Sequence, residues 1–196
     1  MEWLVSLRHN IFAMELCLRL ERDSELRASL WDLVVSMPAK TRAGEKWKLL
    51  NRAAELLLEN ESLFEKGCWD FFDDDSRAKK DYDMWSNGMI TEEGARKQPS
   101  GRPGVHDDDL RFMTFTISLL LKADTATTRA LAKLCNVPQP DLWKRKTFVR
   151  ILRGLKNVSF GVVKSDVLYL IPRNEAWGLT AGDLTDPKFE YLRPIV

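Results

Sequence analysis

Residues 111–121 read Arg-Phe-Met-Thr-Phe-Thr-Ile-Ser-Leu-Leu-Leu, and they belong to the most informative region of the sequence. From position 113 onward every odd position is apolar, while the even positions include two threonines and a serine. Alternation with a period of two, together with β-branched residues, favours a half-buried strand over a helix. A second apolar run, Val-Leu-Tyr-Leu-Ile at 167–171, is followed by Pro172, a residue that ends strands. The sequence therefore predicts a strand at each end of this region.

Two helices are predicted between these strands, at 127–136 and 141–156, and each has one apolar side. This order has two interpretations. Strand–helix–strand is the frame of an α+β domain. Two helices followed by a β-wing over 160–171 would instead form a winged helix that binds nucleic acid. Pro138 and Pro140 crowd the turn that a helix-turn-helix needs, so we favour the α+β interpretation.

Three amphipathic segments precede this region. Residues 2–22, 24–37 and 42–66 each place apolar residues at the spacing of one helix face. Pro38 closes the second segment, and Gly67 follows the third where a left-handed cap ends many helices. Successive helices with short joins predict an antiparallel helical bundle.

Glycine and proline cluster between residues 88 and 109, where the hydrophobic periodicity disappears. Such a composition predicts a flexible linker loop at 88–109. We therefore predict an α+β fold, with an N-terminal antiparallel helical bundle over 1–87 and a small α+β domain over 110–196. In the second domain a small sheet is covered by helices. The alternative is an all-α bundle plus a winged helix.

The composition is typical of a globular protein, with 44% hydrophobic and 30% charged residues among 196. Residues 1–98 carry 15 basic and 19 acidic side chains, net −4, whereas residues 99–196 carry 15 and 10, net +5. Three widely spaced cysteines are typical of buried thiols in a reducing compartment. A secretory signal pattern is missing, and the uncharged apolar run 112–121 is too short to span a membrane. These features predict a cytoplasmic protein.

The strongest charged feature is the helix predicted at 141–156. From Thr125 to Phe160 there are eight basic residues and one acidic residue. Clustered lysines and arginines bind phosphates whatever the base sequence, so this helix is a candidate nucleic-acid-binding surface. The solvated face of an ordinary amphipathic helix explains the same pattern. The candidate residues are Lys144, Arg145, Lys146, Arg150 and Arg153.

Aromatic and acidic residues mix in two short motifs before the linker, Trp-Asp-Phe-Phe at 69–72 and Tyr-Asp-Met-Trp at 82–85. Aromatic side chains anchor many protein interfaces. Packing inside the fold is the competing interpretation. The candidate partner-binding residues are Trp69, Phe72, Tyr82 and Trp85.

Motifs for catalysis and metal binding are absent from the sequence. It contains neither a Gly-x-Ser-x-Gly nucleophile motif nor a glycine-rich phosphate loop. Acidic runs at 73–75 and 107–109 lack the alternating spacing of a calcium loop, and the chain has only two histidines. We therefore expect no catalytic residue, no metal and no cofactor.

The end of the sequence resembles a known family. Residues 167–172, Val-Leu-Tyr-Leu-Ile-Pro, are followed by Trp-Gly-Leu-Thr-Ala-Gly-Asp-Leu at 177–184 and Phe-Glu-Tyr-Leu-Arg-Pro at 189–194. This pattern is similar to the close of a family of uncharacterised cyanobacterial and plastid proteins. There, a strand ending in proline precedes a Leu-Thr/Ser-x-x-Glu-Leu helix start and a Tyr-Pro-x-Leu tail. Here Asp183 replaces the usual glutamate, and residues 188–190 interrupt the Tyr-Pro pair. The resemblance implies no catalytic residues, and the membrane anchor of many members is not carried over.

These features together predict a non-enzymatic cytoplasmic protein with an interaction or regulatory role, whose partner is a protein. The alternative is a winged-helix protein that binds nucleic acid through the basic helix at 141–156. A hydrolase whose site assembles from distant residues ranks third, because sequence spacing alone does not reveal such sites.

Overall fold

The structure of the chain is a computed structural model that describes residues 8–20, 25–36, 43–90, 110–172 and 178–196, with the backbone alone for 87–90. Its strands are β1 (His9–Leu20), β2 (Phe64–Phe72), β3 (Arg111–Lys122), β4 (Val163–Ile171) and β5 (Arg193–Pro194). They form one antiparallel sheet in the order β4-β3-β1-β2-β5. The two longest strands, β1 and β3, are therefore adjacent in the middle of the sheet.

Helices cover the first face of this sheet, and a helix and an irregular segment cover the second face. The helices are α1 (Leu26–Val35), α2 (Ala43–Glu59), α3 (Asp75–Ile90), α4 (Ala126–Cys135) and α5 (Arg145–Leu155). On the first face, α1, α2, α4 and α5 pack against apolar residues of β1 and β3 in the largest core. On the second face, α3 and the segment 178–196 enclose two smaller apolar clusters. Both central strands are consequently buried on both faces.

The pairing of the strands fixes which residues share a face. Glu15 of β1 is paired with Cys68 of β2 on one side and with Thr116 of β3 on the other. Residues directly opposite each other in antiparallel strands point to the same face. These three residues therefore lie on the second face, under α3 and the segment 178–196.

The predicted strands at 111–121 and 167–171 are confirmed as β3 and β4, and the helices at 127–136 and 141–156 are confirmed as α4 and α5. α5 begins at Arg145, four residues later than predicted. Residues 139–141 form a short 3-10 turn instead, and residues 142–144 connect this turn to the helix. β3 also differs in its environment. Its even-numbered polar residues were predicted to face water, yet Thr116 is fully buried on the second face.

The predicted N-terminal helical bundle is wrong. Residues 9–20 form a central strand, and residues 64–72, where the third helix was predicted to end, form another. The apolar residues of β1 that match helical spacing belong to an almost continuous apolar run. Such a run is typical of a strand buried on both faces and has no distinguishing period. Gly67, predicted as a helix cap, lies in β2, where an added Cβ would be 2.8 Å from Phe148 Cε1. Only the helices predicted at 24–37 and 42–66 have counterparts, in α1 and a shorter α2.

The alternative of an all-α bundle plus a winged helix is also wrong. β3 is a central strand, and β4 pairs with it along most of its length instead of forming a small wing. In the sequence, β1 precedes the predicted linker 88–109 and β3 follows it, yet in the sheet the two strands are paired. One sheet therefore contains strands from both of the segments that were predicted as domains. Of that linker only residues 88–90 are described, and they belong to α3; the rest lies outside the described residues.

Candidate functional site

α5 turns an apolar side towards the sheet and a basic side outward. Three of its basic residues, Lys146, Arg150 and Arg153, are exposed and follow one another along the helix over about 10 Å, given a rise of about 1.5 Å per residue. Their spacing of three to four residues places them on one side of the helix. The buried residues of the opposite side are Phe148, Ile151, Leu152 and Leu155.

The first turn of α5 is held by a neighbouring chain segment. The first N–H groups of a helix have no partner within it, and Lys144 at the N-cap offers no side-chain acceptor. The Arg145 N–H instead donates to the Val196 oxygen at 2.7 Å, and the Val196 N–H donates to the Trp143 oxygen at 3.0 Å. These two bonds fix the position of the helix start and of the basic residues that follow it.

Two arginine side chains on α5 are anchored by backbone carbonyl groups. Arg145 donates to the oxygen of Glu61 and, at 3.2 Å, to the oxygen of Phe64. Arg150 donates to the oxygen of Leu134 at 3.0 Å. Within the described part of the chain, neither guanidinium forms an ion pair with a carboxylate. Both guanidinium groups are thus oriented by backbone carbonyl groups and not by carboxylates of the described residues.

These side chains line an open cavity of about 460 Å³, which we call the basic groove. Four of its six lining residues are basic and one, Glu61, is acidic, while Val149 adds an apolar patch. A concentration of like charge in a concave surface focuses the electrostatic field and attracts anions. The lining residues are Glu61, Arg145, Lys146, Val149, Arg150 and Arg153.

A second space of about 290 Å³, the adjoining cavity, lies against the start of α5. Lys146 and Arg150 line it as well as the basic groove. Asp141, on its wall, pairs with Lys144 at 2.6 Å and with Lys146 at 3.7 Å. The hydrogen bond from Lys144 lowers the pKa of Asp141. The lining residues are Val137, Pro138, Asp141, Lys146, Thr147 and Arg150.

The structure brings together four of the five candidate nucleic-acid-binding residues. Arg145, Lys146, Arg150 and Arg153 line the basic groove, whereas Lys144 is engaged by Asp141 beside it. The basic helix is therefore real and its charges converge on one concavity. Binding of nucleic acid by these residues stays a prediction.

The four candidate partner-binding aromatic residues do not form one surface. Trp69 packs on the first face and donates to the Leu142 oxygen at 3.2 Å. Phe72, Tyr82 and Trp85 pack on the second face in the cluster that α3 covers. Tyr82 is 6% exposed and its hydroxyl hydrogen bonds to Ser165 at 2.6 Å. The four side chains contribute to packing on opposite faces, and a role in partner binding stays a prediction.

The second face holds a buried carboxyl that sequence reasoning did not single out. Glu15 is 1% exposed, and the Tyr191 hydroxyl donates to its Oε2 at 2.8 Å. Burial raises the pKa of Glu15, because removal from water disfavours the charged form, while the hydrogen bond from Tyr191 opposes this effect. Burial and the nearby Glu15 also raise the pKa of Tyr191. This carboxyl is therefore suited to hold a proton in the folded protein.

Further polar atoms surround this carboxyl. Thr114 and Thr116 lie near enough to oppose the rise in the pKa of Glu15. Nevertheless, four buried oxygen atoms on this face have no hydrogen-bond partner of ordinary geometry among the described residues. They are Glu15 Oε1 and the hydroxyl oxygens of Thr114, Thr116 and Ser118. Among the described residues, the Tyr191 hydroxyl is therefore the one side-chain donor that bonds this carboxyl with ordinary geometry. The sequence signal for this cluster was a single acidic residue, Glu15, inside the apolar run 11–18. The run was predicted to belong to the helix over 2–22, in which Glu15 lies on the polar side, so its burial was not expected.

The three cysteines are free thiols. Cys17 is fully buried, which agrees with the prediction, whereas Cys68 and Cys135 are half-buried. Burial raises the pKa of Cys17 and of Cys135 to about 12 each, and raises that of Cys68 as well. Thiols with such pKa values are weak nucleophiles near neutral pH.

Comparisons with protein-family models, with curated proteins and with solved structures found no match to this chain. Within the described residues, no cluster of three or more histidine, cysteine, aspartate or glutamate side chains is arranged to bind a metal ion. In that same part of the chain, no helix combines the length and apolar character needed to cross a membrane.

Proposed function

We propose that this protein is a non-enzymatic cytoplasmic interaction module whose basic groove binds an acidic segment of a partner protein. The observation that carries the proposal is the anchoring of Arg145 and Arg150 by backbone carbonyl oxygens. Ordering a long side chain on binding opposes association. Guanidinium groups that are already oriented avoid part of this loss, and their charges remain available to carboxylates, which they bind in a forked geometry.

Two features of the groove favour a protein segment over nucleic acid. Glu61 on its wall can accept a hydrogen bond from a peptide N–H group, a donor that the sugar-phosphate backbone of DNA lacks. None of the six lining residues is aromatic, so the groove lacks a platform on which bases stack.

Nucleic-acid binding is the second candidate function, and a separate observation favours it. Lys146, Arg150 and Arg153 form a row of exposed cations on α5. A row of this kind follows a phosphate backbone without reading its bases. Affinity that depends on such contacts falls steeply as the salt concentration rises, which makes this candidate directly testable.

The test measures binding of a fluorescently labelled oligoglutamate peptide by anisotropy, with labelled single-stranded and duplex DNA in parallel. The double variant Lys146→Glu/Arg153→Glu removes two exposed groove cations, and in the described part of the chain neither side chain donates a hydrogen bond to a backbone group. We expect it to bind the peptide about tenfold more weakly, which corresponds to about 1.4 kcal/mol. Lys79→Glu/Lys80→Glu is the matched control, because it makes the same change of net charge at exposed positions of α3, on the other face of the sheet.

The control variant should bind the peptide like the unmodified protein. Equal loss in both double variants would show a response to net charge alone and would refute the groove as the site. A third outcome is that the unmodified protein does not bind the peptide but binds DNA in a salt-dependent way, and that Lys146→Glu/Arg153→Glu loses this DNA binding. That outcome would replace the proposal by the second candidate. Thermal unfolding of each variant checks that the fold is retained.

A further inference from the structure

The basic groove and the adjoining cavity meet at two side chains. Lys146 and Arg150 line both spaces. Four residues apart on α5, they are separated by about 6 Å along the helix axis and lie on the same side of it. An anionic group bound between them is therefore at the boundary of the two spaces. The residue next to that group in a bound chain can reach the adjoining cavity.

The two spaces differ in the chemistry of their walls. In the adjoining cavity, the Thr147 hydroxyl donates to the Asp141 oxygen at 2.7 Å. The Asp141 carboxylate is engaged by Lys144 at 2.6 Å. These polar groups already have partners within the protein. The remaining wall away from α5 consists of Val137 and Pro138, which offer apolar atoms to a ligand.

We propose that the bound acidic segment carries a large aliphatic residue beside its acidic residues, and that this side chain enters the adjoining cavity. The neighbouring carboxylate binds between Lys146 and Arg150. This inference rests on the proposed function and names the sequence class of the partner. At about 290 Å³ the adjoining cavity has room for one such side chain. Removing an aliphatic side chain from water favours binding.

The test compares three labelled peptides of equal length. One contains only glutamate, and the other two carry leucine or serine in place of one central glutamate. We expect the leucine peptide to bind the unmodified protein about tenfold more tightly than the serine peptide, as burial of most of a leucine side chain implies. Val137→Ser should reduce this ratio to about twofold while leaving the affinity for the all-glutamate peptide unchanged. Val35→Ser is the matched control, because Val35 is 62% exposed on α1.

A second measurement uses the unmodified protein alone. The leucine peptide should shift the backbone amide resonance of Val137, which lines the adjoining cavity alone, and the serine peptide should leave this resonance close to its free position. Equal affinities and equal shifts for the two peptides overturn the inference. If, in that case, Lys146→Glu/Arg153→Glu still weakens binding of the all-glutamate peptide, the proposed function stands and only the inference about the aliphatic residue is overturned. If none of the peptides binds the unmodified protein, both are overturned.

Discussion

Replacing Glu15 by glutamine should change how the stability of this protein depends on pH. The carboxyl is 1% exposed and burial raises its pKa above the unfolded value, which is near 4.5. At low pH the group is protonated in both states. As the pH rises through 4.5 the unfolded chain loses this proton while the folded protein retains it, so folding becomes less favourable. Glutamine keeps an acceptor for Tyr191 but has no proton to lose, and therefore removes this effect.

The magnitude follows from proton linkage. One proton retained by the folded state alone changes the free energy of unfolding by about 1.4 kcal/mol per pH unit. Between pH 5 and pH 7 the free energy of unfolding of Glu15→Gln should therefore rise relative to the unmodified protein, by at most about 3 kcal/mol. The rise stops once the pH exceeds the raised pKa of the folded protein. The difference between the two proteins isolates Glu15, because contributions of all other carboxyls cancel.

Urea unfolding at several pH values, monitored by tryptophan fluorescence, measures this difference. The dependence on urea concentration should be equal in the two proteins, so that the midpoints report stability alone. Glu59→Gln is the control for the loss of a carboxyl, since the Glu59 side chain is 60% exposed. A difference that is constant with pH, or that shrinks as the pH rises, would show that folded Glu15 is ionised and would refute the reasoning.

Two further substitutions test the packing and the ion pairs. Gly67→Ala should destabilise the protein by about 1–3 kcal/mol in urea unfolding, because its Cβ would lie 2.8 Å from Phe148 Cε1. Gly161→Ala, whose nearest contact would be at 3.7 Å, is the control, and equal stability of both variants would contradict the packing argument. Lys46→Met should cost about 1–3 kcal/mol, since it leaves the Asp166 side chain, 6% exposed, without its partner at 2.6 Å. Unchanged thermal stability of this variant would show that the pair contributes nothing.

Local patterns predicted much of the second half of the chain. β3 was predicted from its period-two alternation, and α5 from an apolar stripe with a basic opposite side. Both patterns arise from neighbouring residues and survive without knowledge of the rest of the chain. The same pattern located four groove residues, because exposed charges on one side of a helix are visible in the sequence.

The first half was predicted wrongly because its central strand has no informative period. β1 is buried on both faces, so apolar residues occupy nearly every position from Ile11 to Leu18. Any spacing can be selected from such a run, including that of a helix. The first three residues of β2, 64–66, were assigned to the end of a helix, and Gly67 after them was taken as its cap. Its position beneath the Phe148 ring depends on a residue far away in the sequence.

Local sequence patterns were sufficient to predict that the chain mixes helices with strands, that α5 is amphipathic, and that its outer side is basic. The tertiary structure was needed to show that β1 lies between β2 and β3, which brings together residues from both halves of the chain. It also decided that Arg145 and Arg150 are held by backbone carbonyl groups, and that Glu15 is enclosed beneath Tyr191. Periodicity arises from neighbouring residues, whereas strand order, carbonyl anchoring and burial of a charge depend on contacts between distant segments.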